Sequence, residues 1–302
     1  MAVKTRKISG KAEDIIFDTV NYIVLTIVII VTLYPFLNVL AVSFNDAIDS
    51  VRGGIYLFPR KFTTFNYKSI LTDPQIYNAT VISALRAIIG SALNVLCSIV
   101  VAYAISRKDF VLRGIISRIF IYSMYFSSGL IPYYLLIKNL HLMNNFLVYI
   151  LPSIVSAWNI MVVRSYIDGL PVSLIESAKL DGASELRIIF SIIFPLSVPV
   201  LATITLFVAV GQWNSWFDTM LFCSTNPHLS TLQYELQKVL QSTQQFSMQA
   251  SFDQAVGNKS SAVTPESIRA AMTIVAITPI LFVYPFLQKY FVKGLTIGGV
   301  KG

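Results

Sequence analysis

Val20-Asn21-Tyr22-Ile23-Val24-Leu25-Thr26-Ile27-Val28-Ile29-Ile30-Val31-Thr32-Leu33-Tyr34-Pro35-Phe36-Leu37-Asn38-Val39-Leu40-Ala41-Val42 runs without one charged side chain. A helix needs about 20 mostly apolar residues to cross roughly 30 Å of hydrocarbon. Within that hydrocarbon the backbone must satisfy its own hydrogen bonds, which a helix does. The stretch therefore reads as a membrane-spanning helix. Lys4, Arg6, Lys7 and Lys11 precede it, as they would a secretory leader. It is longer than a leader's apolar region of about 7 to 15 residues, and no small-residue cleavage site follows Tyr34, Pro35 and Phe36. A retained span is expected.

Five further runs lie outward from this one: Ala79 to Ile105, Ile115 to Leu136, Phe146 to Val163, Leu196 to Phe222 and Ile268 to Leu287. The expected fold is all-α, a polytopic membrane protein with six transmembrane helices in a single transmembrane domain over 1–302. Composition agrees: 55% of the 302 residues are hydrophobic and 13% charged, where a soluble domain carries about 25% charged. A net charge of +8 would raise the question of nucleic acid in a soluble protein. Here the cations sit between apolar runs, so membrane lipid is the expected partner and nucleic acid is not.

Lysine and arginine also set the orientation. With both termini in the cytoplasm, that side receives the four N-terminal cations, then Arg107, Lys108, Arg113 and Arg118, then Arg164, Lys179 and Arg187, then Lys289, Lys293 and Lys301. Two long segments are then external, 44–78 and 223–267. The latter is polar yet contains helix formers, which suits a structured or partner-contacting loop; a solvated connector is the competing reading.

Between the fourth and fifth runs lies Leu170-Pro171-Val172-Ser173-Leu174-Ile175-Glu176-Ser177-Ala178-Lys179-Leu180-Asp181-Gly182-Ala183-Ser184-Glu185-Leu186-Arg187. Ser173 followed by Glu176 has the spacing of a capping box, which predicts a helix start. Gly182 suits a left-handed stop, and Ser184 can cap a second helix running towards Pro195. Leu174 and Ala178 share a face and form a small apolar knob between charged flanks. The expected shape is a stiff helix, turn, helix elbow on the cytoplasmic side.

Glu176-Ser177-Ala178, Asp181-Gly182-Ala183, Ile193-Phe194-Pro195 and Pro199 resemble the EAA loop of binding-protein-dependent ABC importer permeases. Ser177 stands where that family usually has its second alanine, and Phe194 where it has leucine. The resemblance implies a type I importer permease fold. It also implies a cytoplasmic coupling loop at 166–195, in which Glu176, Ser177, Ala178, Asp181, Gly182, Ala183 and Pro195 engage a separate ATPase. Trp213 and Asn214, with the tail from Gln288 to Gly302, are similar to carbohydrate permeases of the maltose type. Gly129-Leu130-Ile131-Pro132-Tyr133-Tyr134 resembles the branch that imports complex oligosaccharides. By that likeness a cytoplasmic tail, 288–302, reaches the ATPase through Gly294, Gly298, Lys301 and Gly302. The implied partners are a second homologous permease, two ATP-binding subunits, an extracytoplasmic solute-binding protein and a sugar. The implied location is a bacterial cytoplasmic membrane.

The chain carries no phosphate-cradling GxxxxGK[ST] loop: Gly10 and Lys11 are adjacent, but Thr5 and Ala12 occupy the other required positions. ATP hydrolysis is therefore expected in a partner, and the chain itself is expected to be no enzyme and to hold no cofactor or metal. Its two histidines, His141 and His228, fall in external loops. Arg86 and Asp218 lie near outer helix ends, where they can either snorkel to headgroups or serve function. Trp213, Asn214 and Trp216 are candidates for a sugar path, the indoles by stacking on sugar rings; the interfacial aromatic belt is the competing reading. An ion-gradient transporter or channel is the alternative class. It would place acidic groups or histidine at the centres of spans, and these spans lack them there.

Overall fold

The computed structural model describes residues 11–253 and 264–299, with side chains over 14–242 and 264–285. It is all-helical; among the described residues there is no strand, only one isolated bridge between Asn45 and Phe62. In chain order the α-helices are α1 Lys11–Ser43, α2 Ala47–Ser50, α3 Phe65–Leu71, α4 Pro74–Ser106, α5 Arg113–Ser123, α6 Leu130–Asn139 and α7 Ala157–Ile167. They continue with α8 Val172–Leu180, α9 Glu185–Ile188, α10 Phe194–Leu196, α11 Val198–Asn214, α12 Phe217–Phe222, α13 Leu232–Asp253 and α14 Pro265–Gly299. The described residues fall into two compact units, one within Met1–Ile70 and Thr243–Ile274, the other within Leu71–Ser242 and Val275–Gly302.

Among the described residues three helices are long and apolar enough to cross a membrane unbroken: Asp14–Ser43, Pro74–Ser106 and Pro265–Pro285. Two more of the six expected runs are bent pairs. Phe146–Ser153 meets Ala157–Ile167 at 44°, and Glu185–Leu196 meets Val198–Asn214 at 82°. The remaining run, 115–136, is divided: α5 and α6 have 11 and 10 residues, separated by a stretch ending at Gly129 with φ +79°. Pro132 then falls in the first turn of α6, where its missing N–H costs nothing. The bend at 82° has a similar cause. Pro199 lies in the first turn of α11 with Pro195 four residues back, so a continuous helix would lose a hydrogen bond and clash.

In the second unit α4 is the central rod. Its buried positions, among them Ala79, Ser83, Ala87, Gly90, Asn94, Ser98 and Ala102, recur every three or four residues and are small. Small residues let neighbouring membrane helices approach closely, since lipid gives no hydrophobic drive for packing. Ile99, Ile160, Val163, Ile188, Ile193 and Ile204 from α4, α7, α9, the π-helical turn 189–193 and α11 close the core against this stripe. The opposite face of α4 exposes Leu85, Ile88, Leu93 and Leu96, as a face meeting acyl chains would.

The first unit is organised at Asn45. Its amide donates to the Asp49 carboxylate at 3.1 Å and to Ser50 Oγ at 3.0 Å, and its Oδ1 accepts from Lys61 N at 2.8 Å. Arg60 adds an ion pair to Asp49 at 2.9 Å. The Asn45 hydrogen bond, followed by Arg60, holds the Asp49 carboxyl below its ordinary value. The 44–78 segment is therefore a built structure rather than a slack connector. The 223–267 segment contains the 22-residue α13.

Candidate functional site

The elbow forms, with one correction to its cap. Helix α8 starts at Val172 behind Pro171, which has φ −60° and ψ 123° and makes no side-chain cap. Ser173 is already inside the helix, so the expected Ser173–Glu176 capping box is absent. Residues before proline avoid the helical region and proline itself is preset for a helix start, so the chain enters the helix two residues earlier than the box requires. The stop forms as expected: Gly182 has φ +75°. Gly182 N donates to Lys179 O at 3.0 Å and Ala183 N to Ala178 O at 2.9 Å, the paired bonds of a Schellman turn. Ser184 then caps α9 by accepting from Arg187 N.

The apolar knob also differs from expectation. Ala178 faces inward with Ile175, joining the core, while Leu174 and the 89% exposed Leu180 face outward. Glu176, Ser177, Asp181, Gly182 and Pro195 are exposed and Ala183 is half-buried. Lys301 and Gly302 lie outside the described residues, whereas Gly294 and Gly298 fall in the backbone of α14.

Sequence reading missed what ties the elbow to the helices. Lys179 Nζ pairs with Glu185 Oε1 at 2.7 Å and with Asp109 at 3.5 Å, bridging the two arms of the elbow and the 107–112 loop. Tyr103 OH on α4 donates to Glu185 Oε2 at 2.5 Å. Hydrogen bonding to Glu185 raises the Lys179 pKa, while the Asp109 carboxyl is lowered, first by its own backbone N–H and then by Arg107 and Lys179. Beyond the elbow the chain turns at Ser197, whose Oγ is buried with no hydrogen-bond partner among the described residues. Tyr166 OH takes up the Leu196 carbonyl freed by the bend, at 3.0 Å.

A second constellation surrounds Arg86 on α4. Arg86 is 2% exposed, so it does not snorkel. It pairs with Asp218 at 2.5 Å, donates to Gln212 Oε1 from Nε and from a terminal nitrogen, and reaches Ser215 O at 3.3 Å. Its guanidinium lies 4.4 Å from the centroid of Tyr149. Helix breaks leave carbonyls unpaired in the bilayer, where each costs several kcal/mol by order of magnitude. Here side-chain amides take them: Asn94 donates to Ser153 O and Ile154 O, and Gln212 to Tyr149 O and Ser153 Oγ. Gly90 makes room, since a Cβ there would come within 3.0 Å of Gln212 Nε2. The signal in the sequence was a set of uncharged amides inside apolar runs, which a hydropathy count passes over.

This network walls a cavity of about 480 Å³. Gln212 and Ser215 line it; their neighbours Trp213, Asn214 and Trp216 do not. Trp213 is buried, with its indole N–H on Ala276 O at 2.9 Å. Asn214 is exposed and accepts from Gln233 at 3.1 Å, and Trp216 packs edge-on against Phe217.

Bent apolar helices around a polar cavity, with a rigid elbow at one end, define a membrane transport subunit. Residues 94–297 match the family described as binding-protein-dependent transport system inner membrane component. The chain is 35% identical to Protein LplC of Bacillus subtilis, over 95% of each chain. It is 33% identical to the polygalacturonan/rhamnogalacturonan transport system permease protein YtcP of the same organism, over 95% of this chain and 99% of that one. A solved bacterial ABC transporter that imports the acidic polysaccharide alginate aligns with a TM-score of 0.79 at 27% identity, covering 93% of this chain and 99% of the other. This chain belongs to the family of inner membrane components of binding-protein-dependent transport systems.

Proposed function

We propose that the chain is one of two related permease subunits enclosing the saccharide path of an ATP-driven importer, in the cytoplasmic membrane of a bacterial cell with both termini inside. The observation that carries this reading is the elbow. Its turn is held by Gly182 at φ +75°, and its arms are joined to each other and to α4 through Lys179, Glu185 and Tyr103. A displacement applied to α8 thus loads those ties instead of being absorbed within the elbow. Glu176, Ser177, Asp181 and the outward Leu174 and Leu180 are exposed for an ATPase subunit to grip, while Ala178 and Ala183 anchor the elbow inward. Pro195 marks the bend through which the motion enters α11. The tail residues Gly294, Gly298, Lys301 and Gly302 would reach the same ATPase, and the 223–267 segment would receive the solute-binding protein.

Six crossings follow if the bent pairs and the divided 113–139 run each count as one. The cargo class rests on the likeness to the YtcP and alginate systems, whose names concern polysaccharides. The test is uptake of labelled oligosaccharide into proteoliposomes that hold this chain, its partner permease and the ATPase, with the solute-binding protein supplied. Accumulation that needs ATP and this chain supports the reading. Uptake by this chain alone, without nucleotide, overturns it.

A further inference from the structure

We propose that the 480 Å³ cavity beside Arg86 is a subsite for an uncharged, hydroxyl-bearing sugar ring and not for a uronate, although the alginate importer that this chain resembles carries an acidic polysaccharide. The proposal rests on the saccharide reading above and narrows it.

Arg86 is the cation that an acidic sugar would seek, and it has nothing left to give. A guanidinium carries five N–H donors. Here Nε donates to Gln212 Oε1 at 3.0 Å; one terminal nitrogen donates to Ser215 O at 3.3 Å and Asp218 Oδ1 at 3.2 Å; the other donates to Gln212 Oε1 at 2.8 Å and Asp218 Oδ2 at 2.5 Å. All five are used, and the charge is matched by the Asp218 carboxylate. A ligand carboxylate would have to displace Asp218, leaving one of the two anions unpaired at a 2% exposed cation.

Apart from Asp218, whose carboxylate is paired with Arg86 but 23% exposed and would repel a uronate, the open polar side chains on the cavity wall are neutral. Asn159 is 6% exposed; its Nδ2 donates to Asn94 Oδ1 at 2.7 Å and its backbone N–H to Ser156 Oγ, neither of which uses its Oδ1. Ser156 Oγ accepts from Asn159 N at 3.4 Å and keeps its hydroxyl proton. The Tyr133 phenol, on the same wall, makes no hydrogen bond among the described residues. One acceptor, one hydroxyl and one phenol beside an aromatic ring match sugar hydroxyls, which both donate and accept. The volume falls within the range of small-ligand sites, about 300 to 1,000 Å³.

The experiment uses the complete transporter in nanodiscs without solute-binding protein, and saturation-transfer NMR with three probes: galactotriose, trigalacturonate and the trigalacturonate methyl ester. The ester has the uronate's skeleton without its charge. Binding of galactotriose or the ester, with trigalacturonate at least tenfold weaker, is expected. Tyr133→Phe, which leaves every protein hydrogen bond in place, should weaken the bound neutral probe severalfold, and Asn159→Ala about tenfold. Trigalacturonate binding as well as its ester overturns the proposal, as does neutral binding indifferent to both substitutions or no binding of any probe by a transporter that accumulates saccharide. In each of those cases the importer reading survives; it fails only if the complete transporter accumulates no saccharide.

Discussion

Replacing Gly182 separates conformation from contact more cleanly than any other change in the elbow. Its φ is +75°, and a Cβ built there meets no atom within 4 Å. Any cost of a side chain is therefore backbone strain alone, about 1–2 kcal/mol for an L-residue in the left-handed region. Asparagine, which visits that region readily, should cost least and a β-branched residue most. Each 1.4 kcal/mol is tenfold in population. The Gly182→Ala turn would be depleted roughly 5- to 30-fold relative to competing geometries that break the bonds from Gly182 N and Ala183 N. The assay is ATP hydrolysed per saccharide accumulated in proteoliposomes. That ratio should rise in the order Gly, Asn, Ala, Val while the amount of inserted protein stays level. A Gly182→Val transporter with the wild-type ratio, or Asn as damaging as Val, would refute the reasoning, because neither outcome follows from dihedral strain.

Asp218→Asn should cost about 3–5 kcal/mol by stranding the buried Arg86 charge, and adding Arg86→Met should recover part of it; a double variant melting below the single one contradicts the pairing. Gly90→Ala should lower the melting temperature by a few degrees, since Gln212 is held at Tyr149 O and Ser153 Oγ and cannot swing from a Cβ at 3.0 Å; an unchanged or higher value refutes the close fit. The elbow's ionic ties should be flat around neutrality. The raised Lys179 contributes fully below its ordinary pKa of about 10.4 and loses its part as pH climbs through the higher folded value. The lowered Asp109 contributes above about 3.9 and loses its part as pH falls through its folded value. Hydrogen-exchange protection of residues 172–187 tests this, and a midpoint near pH 7 would mean another group governs the elbow.

What the sequence disclosed depended on the range of the interaction. Apolar length is a local property, so the runs at 20–42, 79–105 and 268–287 were legible as helices. So was the Gly182 stop, because a left-handed position selects its own residue type. The capping box failed on a competition two residues wide, in which Pro171 set the helix start before Ser173 could. The breaks inside the other runs were signalled only weakly, by Gly129 and by the Pro195–Pro199 spacing. The Arg86 network was invisible for a different reason. Its members are separated by as many as 132 positions along the chain, and each alone has an ordinary explanation. Only their convergence on carbonyls freed by the breaks makes them one structure.

That convergence gives α4 a role beyond packing. The segment from Glu185 to Asn214 turns through 82° at Ser197, and α4 holds it on both sides of the turn. Tyr103 grips Glu185 before the bend, and Arg86 grips Gln212 after it. A bend held at two points by one rod is fixed in angle while both ties stand. Opening it requires breaking a tie, and the two are unequal. The Glu185 tie is a phenol-carboxylate bond at the exposed elbow, whereas the Arg86 tie is a buried, fully paired guanidinium. A push at the elbow would therefore yield first at Tyr103, with the Arg86 network staying whole, so that α11 pivots about Gln212 instead of sliding past α4. The buried Ser197 hydroxyl, unpaired among the described residues, stands at the point where such a pivot would change the backbone. Tyr103→Phe should then lower the threshold for the motion and raise ATP turnover without cargo, and turnover unchanged by it would remove Glu185 as the releasing tie.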